Sequence, residues 1–519
     1  MIGNLVWVAR DHQAPPWDTA HYLHLSWVWR GAWDAGGIGR LVSAVYHTDP
    51  HYAPLYPLVI TPFEALANGV HAALVANTIL LAATVVTVAA IAARLYGRRA
   101  AFPAALFVAT APLVYGVSRS VLVEPLLIWL VAFTVWAALK SDGFRDRRWA
   151  AACGASFGLA TLTKLTAPGI LILPLALSLA WPARVALRRQ LTNVAIAAAV
   201  AVAVALPWYA VNLGPSLDYL HSTTSGSFAI GLTTNPLSLH SFAAWVAAAT
   251  SAGPGAILVV TTLVAAGLGV STRRRPVAWD RRTVVRVAIP AAWFGVPFVA
   301  IAVSHNQVVR TLAVAVPGLA VLAAGAVAAI RPVVVRRVVL GLAAVLLAVQ
   351  FVSYLGPFGF GGAALRVGPA GYRILVPFNG TSLSDTRRAG VPDYATPIVE
   401  ALAAGRPAGA PAENVCLLET HEVVNVDTLG YVAESHGVDL SFTDLSYLPH
   451  TSGRQLAAAL AACRVALYIP GDTGIGRTAV LNRSSAAVRA TPAELAAFRG
   501  PRRSFPVGPH VRAQLLRRP

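Results

Sequence analysis

Charged residues are scarce in this sequence, and their scarcity excludes whole classes of protein. Only 12% of the 519 residues are Asp, Glu, Lys or Arg, whereas soluble domains carry about 25%. The hydrophobic share of 56% and the mean hydropathy of +0.62 exclude a disordered chain. The composition therefore indicates a membrane protein that is long enough to carry a further domain.

Lysine and cysteine are also scarce. Lys140 and Lys164 are the only lysines, and arginine supplies the other 39 positive charges. The cations cluster in short loops between apolar runs, which is typical of membrane topology, so we expect no nucleic-acid partner despite the net charge of +19. The three cysteines match no metal-site spacing, so no metal or other cofactor is expected. Cys416 and Cys463 lie in the polar C-terminal part, where an oxidising compartment would allow them to pair, and the sequence leaves this open.

Ten apolar runs of spanning or near-spanning length follow one another along the chain. They cover residues 70–96, 101–117, 121–139, 150–163, 166–183, 191–211, 239–270, 285–303, 311–330 and 335–356. The fourth and fifth are short or broken by proline, so they form either a re-entrant pair or two tilted helices. The runs predict an all-α multi-pass membrane body of about ten or eleven spans.

The loops between these runs differ in positive charge. Of the 25 Lys and Arg residues before residue 356, 19 fall in one alternating set of loops and 6 in the other. The positive-inside rule places the first set in the cytoplasm of a cell inner (plasma) membrane protein. Residues 10–69, the loop 212–238 and the chain after 356 are then expected outside. Only a nine-residue apolar stub precedes the first outer segment, so a first helix is expected to lie upstream or to end in this stub.

The tail has a different composition and holds 12 of the 22 acidic residues. Strand-like runs at 372–378, 414–418, 438–442 and 465–469 alternate with helical runs at 424–436, 454–463 and 492–499. This alternation predicts a small extracytoplasmic α/β domain with a mostly parallel sheet. The predicted domains are an outer first loop with interfacial helices (1–69), a transmembrane body (70–356) and the α/β domain (365–519).

The outer first loop contains the first candidate site residues. Asp18 precedes a helical stretch that carries His21 and Tyr22. An N-cap role explains this aspartate equally well, and it does not exclude chemistry, because a capping carboxylate is held rigidly. Further on, the run DPHYAPLYP, which includes His51 and Tyr52, would line a sugar-sized pocket or anchor aromatic side chains at the membrane interface.

Glu124 is a candidate at the outer membrane face. Pro125 favours the first helical position, which predicts a helix from Glu124 to Lys140. Its rise of about 24 Å places Glu124 near one face of the bilayer if Lys140 lies at the other. A carboxylate at this depth is costly unless it is paired, and a structural salt bridge to Arg119 is one possible pairing.

Lys164 and Arg310 are two more charges beside spans on the outer side, the second in SHNQVVR with His305 and Asn306. Snorkelling of the long side chains to the interface is the alternative to a functional role. Taken together, cations at the headgroup level suit a phosphate, and a nearby carboxylate suits proton removal from a hydroxyl.

In their order along the chain, these segments resemble the C-type (multi-pass) glycosyltransferases of the protein O-mannosyltransferase and lipid A aminoarabinose transferase kind (glycosyltransferase family 39-like). The matching motifs are WDTAHY at 17–22, HYAPLYP at 51–57, SRSVLVEPLL at 118–127, GLATLTKLTAP at 158–168, PWY at 207–209 and HNQVVRTLAVAVPGLA at 305–320. The first loop has Asp-Thr where many relatives have Asp-Glu, so the sugar and the acceptor stay open.

The resemblance implies a GT-C fold and an inverting transfer of a sugar from a polyprenyl-phosphate carrier to a hydroxyl of a glycan, lipid or protein at the outer membrane face. By position it implies catalytic roles for Asp18 and Glu124. It places Lys164 and Arg310, with Arg119 in reserve, at the donor phosphate. The expected substrate-binding residues are His21, Tyr22, His51, Tyr52, His305 and Asn306.

Two other functions stay open: a polyprenyl-lipid transporter or flippase, and a catalytically inactive membrane scaffold. Transporters tend to carry ionisable groups at mid-membrane and two related halves, and the sequence shows neither pattern. An enzyme requires Asp18, Glu124, Lys164 and Arg310 around one cavity, whereas a scaffold does not.

Overall fold

The computed structural model describes most of the chain. The described residues are 2–10, 13–66, 69–181, 186–226, 229, 235–272, 280–355, 363–367, 372–376, 392–404, 406, 413–421, 423–445, 453–469, 498, 503–507 and 511–518. They cluster into two compact units. The helical unit comprises Met1–Ala9, Trp29–Leu220 and Gly231–Arg388, and the C-terminal unit comprises Arg10–Val28, His221–Ile230 and Ala389–Pro519. The predicted first loop is thus divided between the two units.

Helices dominate the chain up to residue 355. Their bounds are α1 Ile2–Arg10, α2 Asp18–His47, α3 Leu55–Leu66, α4 Val70–Tyr96, α5 Ala101–Thr110, α6 Pro112–Val117, α7 Glu124–Lys140, α8 Arg147–Thr163, α9 Ala167–Ser178, α10 Leu187–Thr224, α11 Leu239–Ala252, α12 Ala256–Ser271, α13 Arg281–Ala302, α14 Val316–Ala329 and α15 Val333–Leu355. Helix α2 is kinked at Gly36 and Gly37. Short 3-10 helices precede α5 and α14, at Arg98–Ala100 and Val309–Val314.

The described part of each predicted apolar run is mostly helical, but three of the runs are broken. Run 311–330 is divided between the 3-10 helix Val309–Val314 and α14. Run 101–117 is divided at Ala111, which is extended because Pro112 follows it and opens α6. Run 239–270 becomes α11 and α12, which are bent by 96° at their break. The two short runs 150–163 and 166–183 form the separate helices α8 and α9.

The chain is a multi-pass membrane protein. Among the described residues, four helices are long and apolar enough to cross a membrane (α4, α10, α13 and α15), and the bent pair α11–α12 makes a fifth if it is one span. Shorter apolar helices, including α9 and α14, accompany them. The span count of ten or eleven stays a prediction.

Small residues allow helices of the body to approach closely. A Cβ at Gly154 of α8 would lie 2.1 Å from the carbonyl oxygen of Ala197 in α10, and a Cβ at Gly158 would lie 2.7 Å from that of Ala201. The four-residue spacing places both glycines on one face of α8. This is the small-residue packing that brings helices together in lipid, where apolar side chains gain nothing from leaving water.

The C-terminal unit contains a five-stranded sheet in the order β4-β3-β5-β7-β6. Its strands are β3 Glu413–Leu417, β4 Leu440–Asp444, β5 Val465–Tyr468, β6 Arg503–Pro506 and β7 Arg512–Arg517, and its helices are α16 Thr396–Ala403, α17 Val426–Ser435 and α18 Gly453–Ala462. Strand β3 is parallel to β4 and β5, whereas β7 is antiparallel to β5 and β6. The α/β domain is confirmed, but the sheet is mixed rather than mostly parallel. The predicted helix 492–499 lies outside the described residues, except for Phe498.

The first predicted strand of the tail, 372–378, lies in the helical unit. It forms β2 (Tyr372–Val376), which pairs antiparallel with β1 (Ala363–Val367) in a two-stranded hairpin of the helical unit. The run was correctly predicted as a strand, but it is not a strand of the five-stranded sheet.

A disulfide joins Cys416 of β3 to Cys463, which lies just after α18, with a Cα–Cα distance of 6.0 Å. Both cysteines pack with Leu418, Leu460 and Leu516 on one face of the sheet. The bond closes a loop across 47 residues. Such a cross-link stabilises a small domain mainly by restricting its unfolded chain.

Candidate functional site

The site in the helical unit is built around the first residue of α7. Helix α7 begins at Glu124 and has Pro125 in its first turn, as predicted. Proline suits this position because it lacks the amide that the helix would leave unpaired. Glu124 is 2% exposed, so its carboxylate is almost completely removed from solvent.

Two cations from other segments reach this carboxylate. Lys164 Nζ donates to Glu124 Oε1 over 3.0 Å, and Arg310 Nε lies 3.6 Å from the same oxygen. The Glu124 side chain is 3% exposed, whereas those of Lys164 and Arg310 are 30% and 19% exposed. The carboxylate is therefore the inner member of the cluster, and both cations keep part of their surface accessible.

Local structure explains how both cations are presented. Lys164 follows the last residue of α8, where its extended backbone stops the helix before Pro168 helps to begin α9. Arg310 lies in the 3-10 helix Val309–Val314. The loop before it is anchored by Gln307, whose buried amide hydrogen-bonds to Ser241 of α11. Sequence reasoning missed Gln307, because a buried glutamine in a polar loop motif carries no distinctive pattern.

The two cations are the more accessible members of this ion cluster. Lys164 and Arg310 are both more exposed than the carboxylate they share. An anion in contact with their exposed parts would be stabilised by both positive charges. The guanidinium and ammonium groups are also suitable donors for phosphate oxygens.

Arg119 lies in a different environment, and it is 1% exposed. Its Nε donates to Asn4 Oδ1 over 3.1 Å, and its guanidinium carbon lies 5.7, 5.2 and 5.9 Å from the ring centroids of Trp7, Tyr115 and Phe351. These contacts tie α1, α6 and α15 together. An arginine packed in this way supports the fold through cation–π and hydrogen-bond contacts.

The predicted residues of the DPHYAPLYP run lie beside the end of α10. The Tyr52 hydroxyl is 2.9 Å from the Tyr219 hydroxyl, and their ring centroids are 4.9 Å apart. His51 is 3.2 Å from Asp49 through Nδ1, and its ring meets the edge of Tyr219. Tyr219 is thus a further member of this aromatic group that the sequence did not indicate.

His305 and Asn306 are placed in the loop that leads to Arg310. His305 is exposed and Asn306 is half-buried, and the backbone amide of Asn306 donates to Ser304 Oγ over 3.0 Å. The structure therefore brings Glu124, Lys164 and Arg310 into direct contact, and it places His305 and Asn306 a few residues before the arginine.

The opposite end of α7 carries a separate group of charges. Arg94 forms an ion pair with Asp142 and a hydrogen bond with the carbonyl of Leu139. Lys140 Nζ lies over the rings of Trp136 and Trp149. With 17 residues, α7 separates these charges from Glu124 by about 25 Å.

Asp18, His21 and Tyr22 belong to the C-terminal unit. Asp18 is half-buried in the first turn of α2, and Tyr22 is 6% exposed. Trp17, just before it, has φ of 48°, in the left-handed region. For a bulky residue this backbone conformation costs about 1–3 kcal/mol and is concentrated at functional sites.

No group of three or more His, Cys, Asp or Glu side chains within the described ranges is arranged to hold a metal ion.

Comparison with known proteins follows the same segments. The family model of dolichyl-phosphate-mannose-protein mannosyltransferases matches residues 50–210, which include Glu124 and Lys164. No protein of curated function matches the chain.

Solved structures match nearly the whole chain. ArnT from Cupriavidus metallidurans bound to undecaprenyl phosphate is 14% identical, with a TM-score of 0.58 over 99% of this chain and 96% of that protein. The apo state of the same protein is also 14% identical, with a TM-score of 0.56 over 99% of this chain and 95% of that protein. The oligosaccharyltransferase AglB from Archaeoglobus fulgidus, in complex with an inhibitory peptide and a dolichol-phosphate, is 11% identical. Its TM-score is 0.53 over 90% of this chain and 68% of that protein.

The resemblance inferred from the sequence is confirmed. At these identities the solved structures establish the fold, so the chain has the GT-C fold of multi-pass glycosyltransferases with a C-terminal sheet-containing domain.

Proposed function

We propose that this protein is a membrane glycosyltransferase that moves a sugar from a polyprenyl-phosphate carrier to an acceptor hydroxyl. The observation that carries the proposal is the ion cluster of Glu124, Lys164 and Arg310, because both of its cations keep part of their surface accessible to an anion. The mannosyltransferase family match over residues 50–210 and the undecaprenyl phosphate bound by the similar ArnT support this donor class.

In this proposal Lys164 and Arg310 bind the carrier phosphate. The leaving group is a phosphate, so it requires stabilisation of negative charge and no proton. Glu124 is a positioning residue: its Oε1 contacts both cations and holds them in one place. Without this carboxylate the two cations would repel each other in a weakly solvated environment.

Asp18 is the proposed general base. The acceptor oxygen forms a bond to the anomeric carbon while the bond from that carbon to the phosphate oxygen breaks. The acceptor proton passes to the Asp18 carboxylate, and the carrier phosphate leaves with the bonding electrons. Attack from the side opposite the leaving group inverts the anomeric configuration. A positioned base contributes roughly 10²–10⁴-fold to such a transfer.

We propose further that the ion cluster and the C-terminal unit are extracytoplasmic in an inner (plasma) membrane protein. The distribution of Lys and Arg between loops supports this orientation. The Cys416–Cys463 disulfide also supports it, because such bonds persist in oxidising compartments. A C-terminal reporter that is active only in the cytoplasm is expected to stay inactive, and an active reporter would contradict the orientation.

The central experiment is a transfer assay in nanodiscs with a panel of polyprenyl-phosphate sugars. Arg310→Ala and Lys164→Ala each remove one proposed phosphate contact, so donor affinity should fall by about 1.5–3 kcal/mol, or roughly 10- to 150-fold. Arg94→Ala is the matched control, because it removes a cation from the ion pair at the other end of α7.

Two results would contradict the proposal. The first is the absence of transfer from every donor in the panel by the folded wild-type protein. The second is a donor affinity that is unchanged in both Arg310→Ala and Lys164→Ala, which would remove the phosphate role from the ion cluster.

A further inference from the structure

The C-terminal unit contains a cleft that is lined by residues of this unit alone. Its volume is about 380 Å³, within the range of roughly 300–1,000 Å³ of small-molecule sites. One wall is the first two turns of α2, and the other is formed by α17 and the start of β4. Its polar and aromatic lining includes His21, His24, Asp427, Tyr431, Glu434 and Asp439.

Contacts between the walls preform this cleft. His24 Nδ1 lies 2.7 Å from Oε2 of Glu434. The ring of Trp27 stacks on that of Tyr431, with centroids 4.9 Å apart and an interplanar angle of 24°. Both contacts join α2 to α17, so the cleft exists before any ligand enters, which lowers the entropic cost of binding.

The cleft has a half-buried floor and an exposed rim. Asp427 and His21 are half-buried, whereas His24, Glu434 and Asp439 are exposed. A ligand in contact with the Asp427 carboxyl would therefore lose part of its water. This arrangement gives the deepest polar contact the largest effect on affinity.

The Asp427 carboxyl at the floor of the cleft interacts electrostatically with Asp18. Burial raises the pKa of Asp427 to about 6, and the charges of Asp18 and Asp444 act in the same direction. The imidazoles of His21 and His24 oppose the shift. Asp18 lies in the first turn of α2, three residues before His21 in the wall of the cleft, and residues three apart on a helix are neighbours on its surface.

The lining favours hydroxyl groups over other ligand chemistries. Carboxylates accept hydrogen bonds, imidazoles both donate and accept them, and the Tyr431 ring offers a flat apolar face. Neighbouring hydroxyls on a sugar ring match this combination. The three carboxylates in the lining disfavour an acidic ligand, and no metal-holding group of three is present among the described residues.

We infer that this cleft binds the acceptor, a saccharide that carries no acidic group, and directs one of its hydroxyls toward Asp18. The inference rests on the proposed function, in which Asp18 takes the acceptor proton. It narrows the acceptor from a glycan, lipid or protein to a glycan.

The test measures glycan binding, independently of transfer, by the full chain in nanodiscs. The probe is an array of neutral, amino-sugar and acidic oligosaccharides, and the strongest binder is then titrated. Neutral or amino-sugar members should bind. Asp427→Asn and Tyr431→Leu should weaken this binding at least tenfold. Glu400→Gln, an exposed carboxylate of the same unit outside the cleft, should leave it unchanged.

The outcomes separate the cleft from the enzyme. Binding by no member, binding by acidic members alone, or unchanged affinity in both cleft variants would overturn the inference. Glycan binding without transfer from any polyprenyl-phosphate sugar would contradict the proposed function but not glycan binding by the cleft. Protection of the amides of the five-stranded sheet from hydrogen exchange reports that the C-terminal unit of each variant is folded.

Discussion

Each unit of this protein contains a carboxyl group withdrawn from water, but the two are stabilised in opposite ways. Glu124 in the helical unit is surrounded by two cations, Lys164 and Arg310. Asp427 in the C-terminal unit faces two imidazoles and further carboxyls, and its pKa rises. In the apolar body a buried charge persists only with strong counter-charges. In a cleft that is open to water, a carboxyl can instead bind a proton or a hydroxyl.

The difference predicts which ligand each region accepts. The ion cluster presents two partly accessible cations and suits a phosphate, whereas the cleft is lined by three carboxyls and two imidazoles and suits hydroxyl groups. The two regions therefore have complementary roles in the proposed reaction: one stabilises the leaving group and the other holds the attacking acceptor.

The largest effect is expected for Glu124→Gln. Removing the negative charge leaves two cations together in a weakly solvated environment, so the helical unit should lose about 3–5 kcal/mol of stability. Thermal unfolding in nanodiscs measures this loss. The donor KM should also rise, because the cations lose their common anchor, and Glu124→Asp should restore most of the donor affinity.

Asp142→Asn is the control for this change, because it breaks an exposed ion pair in the same unit. Its expected cost is about 0–1 kcal/mol. Equal losses of stability in the two variants would show that the ion cluster around Glu124 contributes no more to stability than the exposed pair does.

Asp18→Asn should reduce turnover by about 10² or more with the fold intact. The amide keeps the shape of the side chain but cannot accept the acceptor proton. Single-turnover kinetics with bound donor measure the chemical step. Asp34→Asn, which alters an exposed carboxylate of the same helix with 66% exposure, is the matched control. Turnover close to that of the wild type in Asp18→Asn would exclude this residue as the base.

The stability of the C-terminal unit should depend on pH. Since the native pKa of Asp427 is about 6, against 3.8 normally, the native state binds its proton more tightly than the unfolded state does. Stability should therefore fall as the pH rises from about 4 to 6, and the deficit should persist above that range. Asp427→Asn should remove this dependence and stabilise the C-terminal unit by about 1–3 kcal/mol at pH 7, because the residue is only half-buried.

Hydrogen exchange of α17 at pH 4 and pH 7, followed by mass spectrometry, measures this difference. Wild type and Asp427→Asn should be equally protected at pH 4 and should differ at pH 7. A wild-type unit with equal protection at both pH values would contradict the raised pKa.

The smallest effect is expected for Arg310→Lys. Lysine keeps the positive charge but loses the planar fork of donors, so donor affinity should fall by about 1 kcal/mol. Titration with the carrier phosphate alone measures it. A loss as large as that in Arg310→Ala would show that geometry rather than charge dominates at this position.

Local sequence patterns predicted much of the fold. The run 70–96 is α4 with the same bounds, and α7 begins at Glu124, where the proline indicated it would. Composition and 3.6-residue helical structure are local properties, so a single chain reveals them. The prediction of a mostly parallel sheet was wrong because it did not include the strands β6 and β7, which pair antiparallel. Arg503–Pro506 and Arg512–Arg517 are rich in arginine, and their pairing with distant strands decides their structure.

The sequence by itself determined a helical membrane body, a C-terminal α/β domain and the chemical groups available to a site. Only the tertiary structure decided which groups meet. Lys164 and Arg310 converge on Glu124 from separate segments, and Asp427 faces the first turns of α2 across more than 400 residues of chain. Such meetings depend on packing between distant segments, and local periodicity carries no information about them. The free energy that pairs a buried charge with its partner is gained only when the folded chain excludes water around both.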